Sequence, residues 1–269
     1  MSRLIGFACG IAPELSPAET VVAASAGGFD AVGIRVDSSQ WTTATTREVR
    51  HLVADAGIGV LDVEVIWIQA GPSDPNHLRI IDIAADIGAR NALVVCSDPD
   101  KGAATAKYAE LCEHGAECNV RVCLEFGLFT EVHRLEDAQA IVEAVDSPAR
   151  AILVDPLHLH RSGGVPADVA LVPPALLPYA QFCDAPSRLP DLNDLSSIRI
   201  DALDRRMQVG HGELPLRELL TALPPHLPLS IELRSAALRD AFPNAAERAR
   251  AIFEATRAFL DEHDRPPRR

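Results

Sequence analysis

The stretch from Ala151 to Asp155, Ala-Ile-Leu-Val-Asp, is an apolar run that ends in a carboxylate. Three more runs have the same form: Val120-Arg-Val-Cys-Leu-Glu125, Tyr179-Ala-Gln-Phe-Cys-Asp184 and Leu229-Ser-Ile-Glu232. Each has the length and residue types of a buried strand. An ionised carboxylate in apolar surroundings costs several kcal/mol unless a cation or hydrogen bonds compensate it. One divalent metal ion shared by several of these acids is the most economical compensation, so the pattern predicts a metal-dependent enzyme.

The rest of the chain repeats a unit of one strand and one helix. We predict strands at 4–10, 29–35, 60–68, 92–96, 120–125, 151–155, 179–184 and 229–233. Helices are predicted from capping patterns at Ser16, Thr45 and Asp74, and at 102–115, 135–145 and 244–263, with a weak, proline-interrupted segment at 166–174. Eight such units without a Gly-x-Gly-x-x-Gly loop favour an α/β fold of the closed (β/α)8 TIM barrel type. We predict a single domain at 1–263 and a short tail at 264–269.

The bulk properties exclude several other classes of protein. The 269 residues carry a net charge of −13, which argues against a nucleic-acid surface. No apolar run approaches the roughly 20 residues of a membrane span, and the N-terminus does not fit a signal peptide. Six cysteines without a Cys-x-x-Cys pair are typical of reduced core thiols and do not indicate a structural zinc site. We therefore expect a cytoplasmic protein that contacts neither nucleic acid nor membrane.

In a closed barrel all strands point their C-terminal ends at one mouth, so the four acids should meet there. Glu125, Asp155 and Glu232 offer carboxylate oxygens, and Gln181 offers an amide oxygen. Oxygen ligands suit Mg²⁺ or Mn²⁺, and a histidine ligand widens the choice to Co²⁺ or Zn²⁺. Three carboxylates around one such ion leave a net charge of −1, which favours a neutral polyol or hydroxy-ketone over a highly charged anion.

Further residues are candidates because they fall near strand ends or in the long irregular segment predicted at 185–212. His158 follows Asp155 closely, so its ring is expected to reach a bound substrate. The predicted substrate-contacting residues are Arg35, Glu64, Trp41, Trp67, Asp184, Arg205 and His211. Structural explanations remain open for several of them: Arg35 and Glu64 can pair with each other, the tryptophans can simply pack, and Asp184 can hold a turn.

The order of these motifs resembles the xylose isomerase-like TIM barrels, the sugar phosphate isomerase/epimerase superfamily, over nearly the whole chain. The resemblance rests on Leu-Glu125-Phe-Gly, Val-Asp155-Pro-Leu-His158, Gln181-Phe-Cys-Asp184, Arg205-Arg206 with Gly210-His-Gly-Glu213, and Ile-Glu232-Leu-Arg. It implies that Glu125, Asp155, Gln181 and Glu232 bind one divalent metal ion. It also implies that Glu125 and Glu232 move protons on opposite faces of the substrate and that His158 polarises a substrate oxygen.

Two positions depart from the family pattern. The strand-seven ligand is usually histidine, and the glutamine found here is similar to that of hydroxypyruvate isomerases. Arg35 stands where many epimerases carry an acidic or apolar residue.

The expected reaction is isomerisation or epimerisation of a sugar, keto-polyol or small hydroxy-carbonyl compound through a metal-stabilised enediolate. One alternative is a metal-dependent dehydratase, that is a lyase, acting on a cyclic polyol or a 3-dehydroshikimate-like acid. Another is a barrel that binds a sugar without catalysis. The expected partner is a small sugar-like or polyol-like substrate, and homodimer and homotetramer both stay open.

Overall fold

The computed structural model describes residues 3–265, in which eight strands alternate with helices. The strands are β1 (Ile5–Phe7), β2 (Ala31–Arg35), β3 (Gly59–Gln69), β4 (Asn91–Ser97), β5 (Arg121–Glu125), β6 (Arg150–Leu153), β7 (Ala180–Gln181) and β8 (Leu229–Ile231). The helices are α1 (Pro17–Gly27), α2 (Thr43–Ala56), α3 (Pro75–Ile87), α4 (Lys101–Cys118), α5 (Leu135–Glu143), α6 (Pro156–Arg161), α7 (Pro166–Val169), α8 (Leu195–Asp204), α9 (Leu216–Ala222), α10 (Ala236–Ala241) and α11 (Ala245–His263). Of the predicted tail, 266–269 lie outside the described residues.

The strands form one parallel sheet that curls into a nearly closed barrel. Their order is β6-β5-β4-β3-β2-β1-β8-β7, with every named pair parallel. A β-bridge between Val154 and Ala180 spans the gap between β6 and β7. There the backbone N–H of Gln181 donates to the backbone carbonyl of Val154 at 2.9 Å. The predicted single-domain TIM barrel is therefore confirmed.

Two layers of apolar side chains hold the barrel together. Inside it, residues such as Leu61, Leu93, Leu153 and Tyr179 fill the lumen and are 0–8% exposed. Outside it, strand residues pack against the helical ring in one continuous core. This division explains why the strands read as unbroken apolar runs, since both faces of a parallel sheet are covered. Within the described part of the chain, no helix combines the length and apolar character needed to cross a bilayer.

Several predicted helix boundaries are confirmed by their caps. Ser16 and Glu19 form a reciprocal capping box before α1, and Asp74 caps α3. The prediction for α2 was wrong by three residues, because Thr42 and not Thr45 accepts the capping hydrogen bond.

Helix α4 also differs from its prediction, since it continues past Gly115 to Cys118 and ends at Asn119 in the left-handed region. A Cβ at position 115 would lie 2.7 Å from the Val120 carbonyl, so glycine is there for close packing and not as a terminator.

The prediction of an irregular segment at 185–212 was also wrong in part. Residues 195–204 form helix α8, whose first turn is capped by the Asp194 side chain. The weak segment predicted at 166–174 begins with α7 and ends where a 3₁₀ turn at Pro174–Leu176 starts, and α6 precedes it directly after β6. At the mouth of the barrel, α6 contributes His158 and α8 contributes Ala202 and Leu203.

Candidate active site

Four polar side chains leave the barrel strands at the same end. Glu125 and Gln181 are the last residues of β5 and β7, and Asp155 and Glu232 follow closely after β6 and β8. All four are buried, with 0–6% of their surface exposed. Because the strands are parallel, the four side chains gather at the mouth of the barrel.

Glu125, Asp155 and His158 form a close group in which one ligand atom of each lies within 4.8 Å of the others. Asp155 caps α6: its Oδ1 accepts hydrogen bonds from the backbone amides of Leu157 at 2.7 Å and His158 at 3.1 Å. These bonds fix the turn that carries His158 towards β5, where its Nε2 lies 4.0 Å from Oε1 of Glu125. Two carboxylates and one imidazole therefore converge on one point, which is a donor set suited to a divalent metal ion.

Gln181 extends this group from β7. Its side-chain amide lies between the two carboxylates, and the amide nitrogen donates to Asp155 Oδ2 at 2.9 Å and to Glu125 Oε1 at 2.5 Å. Turned over, the amide would present its oxygen to a cation shared with these carboxylates. The residues at this position fit a divalent ion.

The electrostatics of the site also fit a bound cation. Burial, followed by the charge of Asp155, raises the pKa of Glu125 well above its usual value. Burial and the charge of Glu64 raise the pKa of Glu232 to about 8. Among the described residues, Oε2 of Glu232 and Oε1 of Glu64 have no hydrogen-bond partner. A buried surplus of carboxylates with unpaired oxygens is stabilised by a cation.

Arg206 is the residue that the sequence-based reasoning did not place in the site. It is buried, its Nη1 donates to Asp155 Oδ2 at 2.5 Å, and its Nη2 lies 3.3 Å from Nε2 of His158. Arg205, which was predicted to contact substrate, has an exposed side chain. The sequence motif contains both Arg205 and Arg206. The path of the backbone after α8 decides which of the two side chains points into the barrel.

The charge of Arg206 changes the net charge predicted for the metal-bound site. With one divalent ion, the three carboxylates and Arg206 sum to zero and not to −1. Burial would raise the pKa of Asp155, but Arg206 and then His158 hold it below its usual value. Burial lowers the pKa of His158 itself to about 4, so its ring is neutral near neutral pH.

The predicted substrate-contacting residues divide into two groups. Arg35, Glu64 and Trp67 line the same cavity as Glu125 and Glu232. Arg35 and Glu64 are neighbours in register on β2 and β3, although none of the ion pairs within 4.0 Å in the described residues joins them. Glu64 instead accepts a hydrogen bond from the Cys9 thiol at 3.1 Å.

The second group lies outside the cavity. Trp41 packs in the outer core and donates to the Thr46 hydroxyl at 2.8 Å, and His211 is exposed. Asp184 accepts four backbone hydrogen bonds, from Ala185, Gly210, Gly212 and Leu214. Asp184 therefore holds a loop, which was the structural explanation left open for it.

The cavity at the mouth has two compartments. The inner one, about 130 Å³, is lined by Glu64, Glu125 and Glu232 together with Arg35, Arg206 and Arg234. The outer one, about 320 Å³, is mostly apolar and is lined by Trp67, Phe129, Arg199, Ala202 and Leu203. Phe129, in edge contact with Trp67 at 6.1 Å between ring centroids, adds a second aromatic ring to the cavity wall. The two compartments share Trp67, Phe129, Ala202 and Leu203, so they form one path into the site.

Comparison with known proteins identifies the family. The sequence model of the xylose isomerase-like TIM barrel family matches residues 21–258, and the chain belongs to this family. A curated relative, the 3-dehydroshikimate dehydratase of Pseudomonas putida, is 24% identical over 270 residues, which cover 92% of this chain and 41% of the relative. The chain thus spans about two fifths of the length of that enzyme.

Solved structures of similar fold agree with this assignment. A xylose isomerase-like TIM barrel/4-hydroxyphenylpyruvate dioxygenase fusion protein superposes with a TM-score of 0.80 at 20% identity, covering 99% of this chain and 46% of the fusion. The IOLI protein with a bound zinc atom gives 0.80 at 15% identity, covering 97% and 99%. D-psicose 3-epimerase of Clostridium cellulolyticum H10, with D-tagatose, gives 0.71 at 12% identity, covering 96% and 99%. At these identities the likeness extends to the fold alone.

Proposed function

We propose that this protein is a metal-dependent isomerase or epimerase that transfers a proton next to the carbonyl group of a sugar, keto-polyol or small hydroxy-carbonyl compound. The observation that carries the proposal is the pair Glu125 and Glu232. Both carboxylates are buried, line one small cavity and have raised pKa values. Two such groups near a bound substrate can remove a proton from carbon and return one.

Each residue of the site has a part in this reaction. Glu125 and Glu232 extend from β5 and β8, so they approach a substrate in the cavity from different sides of the barrel. Return of the proton to the neighbouring carbon gives isomerisation, and return to the opposite face gives epimerisation. His158, which is neutral, can donate a hydrogen bond to a substrate oxygen, and Arg206 fixes the position of Asp155.

Glu125, Asp155, Gln181 and Glu232, with His158 beside them, are the residues that would hold the metal. A bound Mn²⁺, Mg²⁺, Co²⁺ or Zn²⁺ ion supplies Lewis acidity towards the substrate's oxygens. A nearby cation also lowers the pKa of the two glutamates, which makes them weaker bases. The acidity of the substrate C–H bond then has to compensate for the weaker base.

Substitution of the two glutamates tests this proposal. Glu125→Gln and Glu232→Gln should each abolish turnover of a substrate found by screening keto-sugars, inositol ketones and hydroxypyruvate with added Mn²⁺, Mg²⁺ or Co²⁺. Incorporation of solvent deuterium into the substrate, followed by NMR, reports the proton transfer directly. Glu218→Gln, on the exposed face of α9, is the matched control and should leave the rate unchanged. Near-normal exchange in either cavity variant would refute the assignment.

A second candidate is favoured by the arginines of the inner compartment. Arg35 and Arg234 line it beside Glu64 and Glu232, and guanidinium groups also suit a substrate carboxylate. Together with the dehydratase relative, this supports dehydration of a 3-dehydroshikimate-like acid, in which a β-hydroxyl leaves after proton removal. A product that absorbs in the ultraviolet and is lighter by one water distinguishes dehydration from isomerisation, which conserves mass.

A further inference from the structure

Three side chains with metal-binding atoms meet on the outside of the barrel. Asp82 lies on α3, while His114 and Cys118 lie on α4. His114 and Cys118 are four residues apart and therefore share one face of α4, which packs beside α3. One ligand atom of each residue lies within 4.8 Å of the others. We call these three residues the α3–α4 cluster.

The distances within the α3–α4 cluster are close to those of a metal site. Sγ of Cys118 lies 3.7 Å from Oδ1 of Asp82 and 3.8 Å from Nε2 of His114. Ligands bonded to tetrahedral zinc at the usual lengths are separated by about 3.6 Å for sulfur with nitrogen or oxygen. Oδ1 of Asp82 and Nε2 of His114, now 2.7 Å apart in a hydrogen bond, would separate to about 3.4 Å. A rotation of the exposed Asp82 side chain would accommodate that change.

The surroundings of the α3–α4 cluster are acidic and separate from the mouth. Asp86, one turn after Asp82, and Glu117, whose Oε2 lies 3.8 Å from Nδ1 of His114, both add negative charge. Cys118 also lines a cavity of about 470 Å³ near the start of β4 and β5, at the opposite end of the strands from Glu125. The α3–α4 cluster therefore shares no residue with the candidate active site.

We propose that Asp82, His114 and Cys118 form a second metal site, which takes a borderline-soft divalent ion of the Zn²⁺ class. The three side chains supply oxygen, nitrogen and sulfur, the ligand types that Zn²⁺ prefers over Mg²⁺. Water or the carboxylate of Asp86 completes the tetrahedron. On binding, the thiol proton of Cys118 passes to solvent, the metal–sulfur bond forms, and no electron is transferred. The bound ion joins α3 to α4 on the outer surface of the barrel.

The competing explanation is that the hydrogen bond between His114 and Asp82 merely ties the two helices, with Cys118 beside it by chance. Access of Cys118 to reagents separates the two explanations. Of the six cysteines, Cys118 is the one that is not buried. Ellman's reagent should therefore label one thiol per folded chain. If the metal binds Cys118, labelling should slow at least about tenfold once free Zn²⁺ exceeds the Kd tenfold, as mass action requires.

The experiment uses the full chain kept in excess Mg²⁺, which does not compete for a thiolate. His114→Gln should be labelled as fast as the wild type without Zn²⁺ and should lose the protection by Zn²⁺. His51→Gln is the matched control, because His51 also pairs with an aspartate on a helix surface, and it should keep the protection. Equal labelling rates with and without Zn²⁺ in the wild type, or full protection in His114→Gln, would overturn the proposal.

Cobalt gives an independent signal. Co²⁺ added to the wild type should produce a thiolate-to-metal charge-transfer band in the near ultraviolet, at one equivalent per chain. Cys118→Ser should remove this band and leave the proposed isomerase or epimerase activity unchanged, because residue 118 lies far from the mouth. A band that persists in Cys118→Ser would contradict the site. Neither signal depends on turnover, so failure of the proposed function would not be mistaken for failure of this site.

Discussion

Asp155 and Asp184 lie after neighbouring strands, β6 and β7, and both are almost completely buried. Asp155 receives two backbone hydrogen bonds on Oδ1 and the side chain of Arg206 on Oδ2. Asp184 receives two backbone hydrogen bonds on each oxygen. A carboxylate surrounded by backbone amides has no lone pair left for a ligand. Asp155, held on Oδ2 by one side chain, instead lies with a carboxylate oxygen within 4.8 Å of ligand atoms of Glu125 and His158.

The strongest test of this comparison is Asp155→Asn. Asparagine keeps an oxygen for the amides of α6 but loses the charge that attracts a cation and Arg206. We expect kcat/KM to fall roughly a thousand-fold, equivalent to about 4 kcal/mol of barrier, with loss of bound metal. Metal analysis of the purified variant and steady-state kinetics check this. Retention of a stoichiometric ion with activity within tenfold of the wild type would end the distinction drawn between the two aspartates.

Asp62 extends the comparison to a carboxylate with no hydrogen-bond partner among the described residues. Both its oxygens are buried inside the barrel, and burial raises its pKa to about 7 from 3.8. Between about pH 4 and pH 7 the unfolded chain loses this proton while the folded chain keeps it. The wild type therefore loses stability as the pH rises through this window, by at most about 4 kcal/mol.

Asp62→Asn does not titrate, so its stability relative to the wild type should rise by up to that amount between pH 4 and pH 8. Urea unfolding of both proteins, with a chelator present so that the mouth is metal-free, measures the difference. The opposite trend, or a difference independent of pH, would show that the Asp62 carboxyl is compensated in the folded protein.

Asp184→Asn tests the other side of the comparison. The amide turns an NH₂ group towards two backbone N–H donors, so two of the four hydrogen bonds are lost from a buried position. We expect the free energy of unfolding to fall by about 3 kcal/mol. The kcat of the folded fraction should stay within about twofold of the wild type, because Asp184 lies outside the cavity. A large loss of kcat at unchanged stability would place Asp184 in the chemistry after all.

The smallest effects are expected from the adjacent arginines. Lysine at position 206 loses the planar contacts to Asp155 and His158, and we expect a loss of about 1–2 kcal/mol of stability and about tenfold in activity. Arg205→Lys changes an exposed side chain and should alter stability by less than about 0.5 kcal/mol. Thermal unfolding and kinetics of the two single variants make a matched pair. Equal effects of the two substitutions would mean that the buried position of the Arg206 side chain contributes nothing to stability or activity.

Much of this molecule was predictable from local sequence. The eight strands follow from apolar runs, and the convergence of Glu125, Asp155 and Glu232 follows from the common direction of parallel strands. These features depend on patterns that repeat within a few residues. The N-caps Ser16 and Asp74 correctly predicted the starts of α1 and α3, because capping also depends on residues close in sequence.

Other features depend on contacts between distant residues. Asp184 looked like Asp155 in sequence, but the chain returns at Gly212, where a Cβ would lie 2.4 Å from the Asp184 carboxylate, to surround it with amides. Whether Arg205 or Arg206 turns inward is set by the ladder contacts of Arg205 with Ser235 and of Met207 with Asp184. The sequence predicted a helix end at Gly115. The glycine is needed instead for close packing against Val120, a contact that helical periodicity does not reveal.

Helix α8 contributes one wall to both compartments of the cavity through Ala202 and Leu203, while the candidate metal ligands stand on the strands. A substrate's outer end would therefore meet α8 on one side and the rings of Trp67 and Phe129 on the other. Substitutions on that face of α8 would change ligand choice without touching the ion-holding residues of the barrel strands. Directed evolution confined to Arg199 and Leu203 explores new specificities and leaves Asp201 in its buried pair with Arg161.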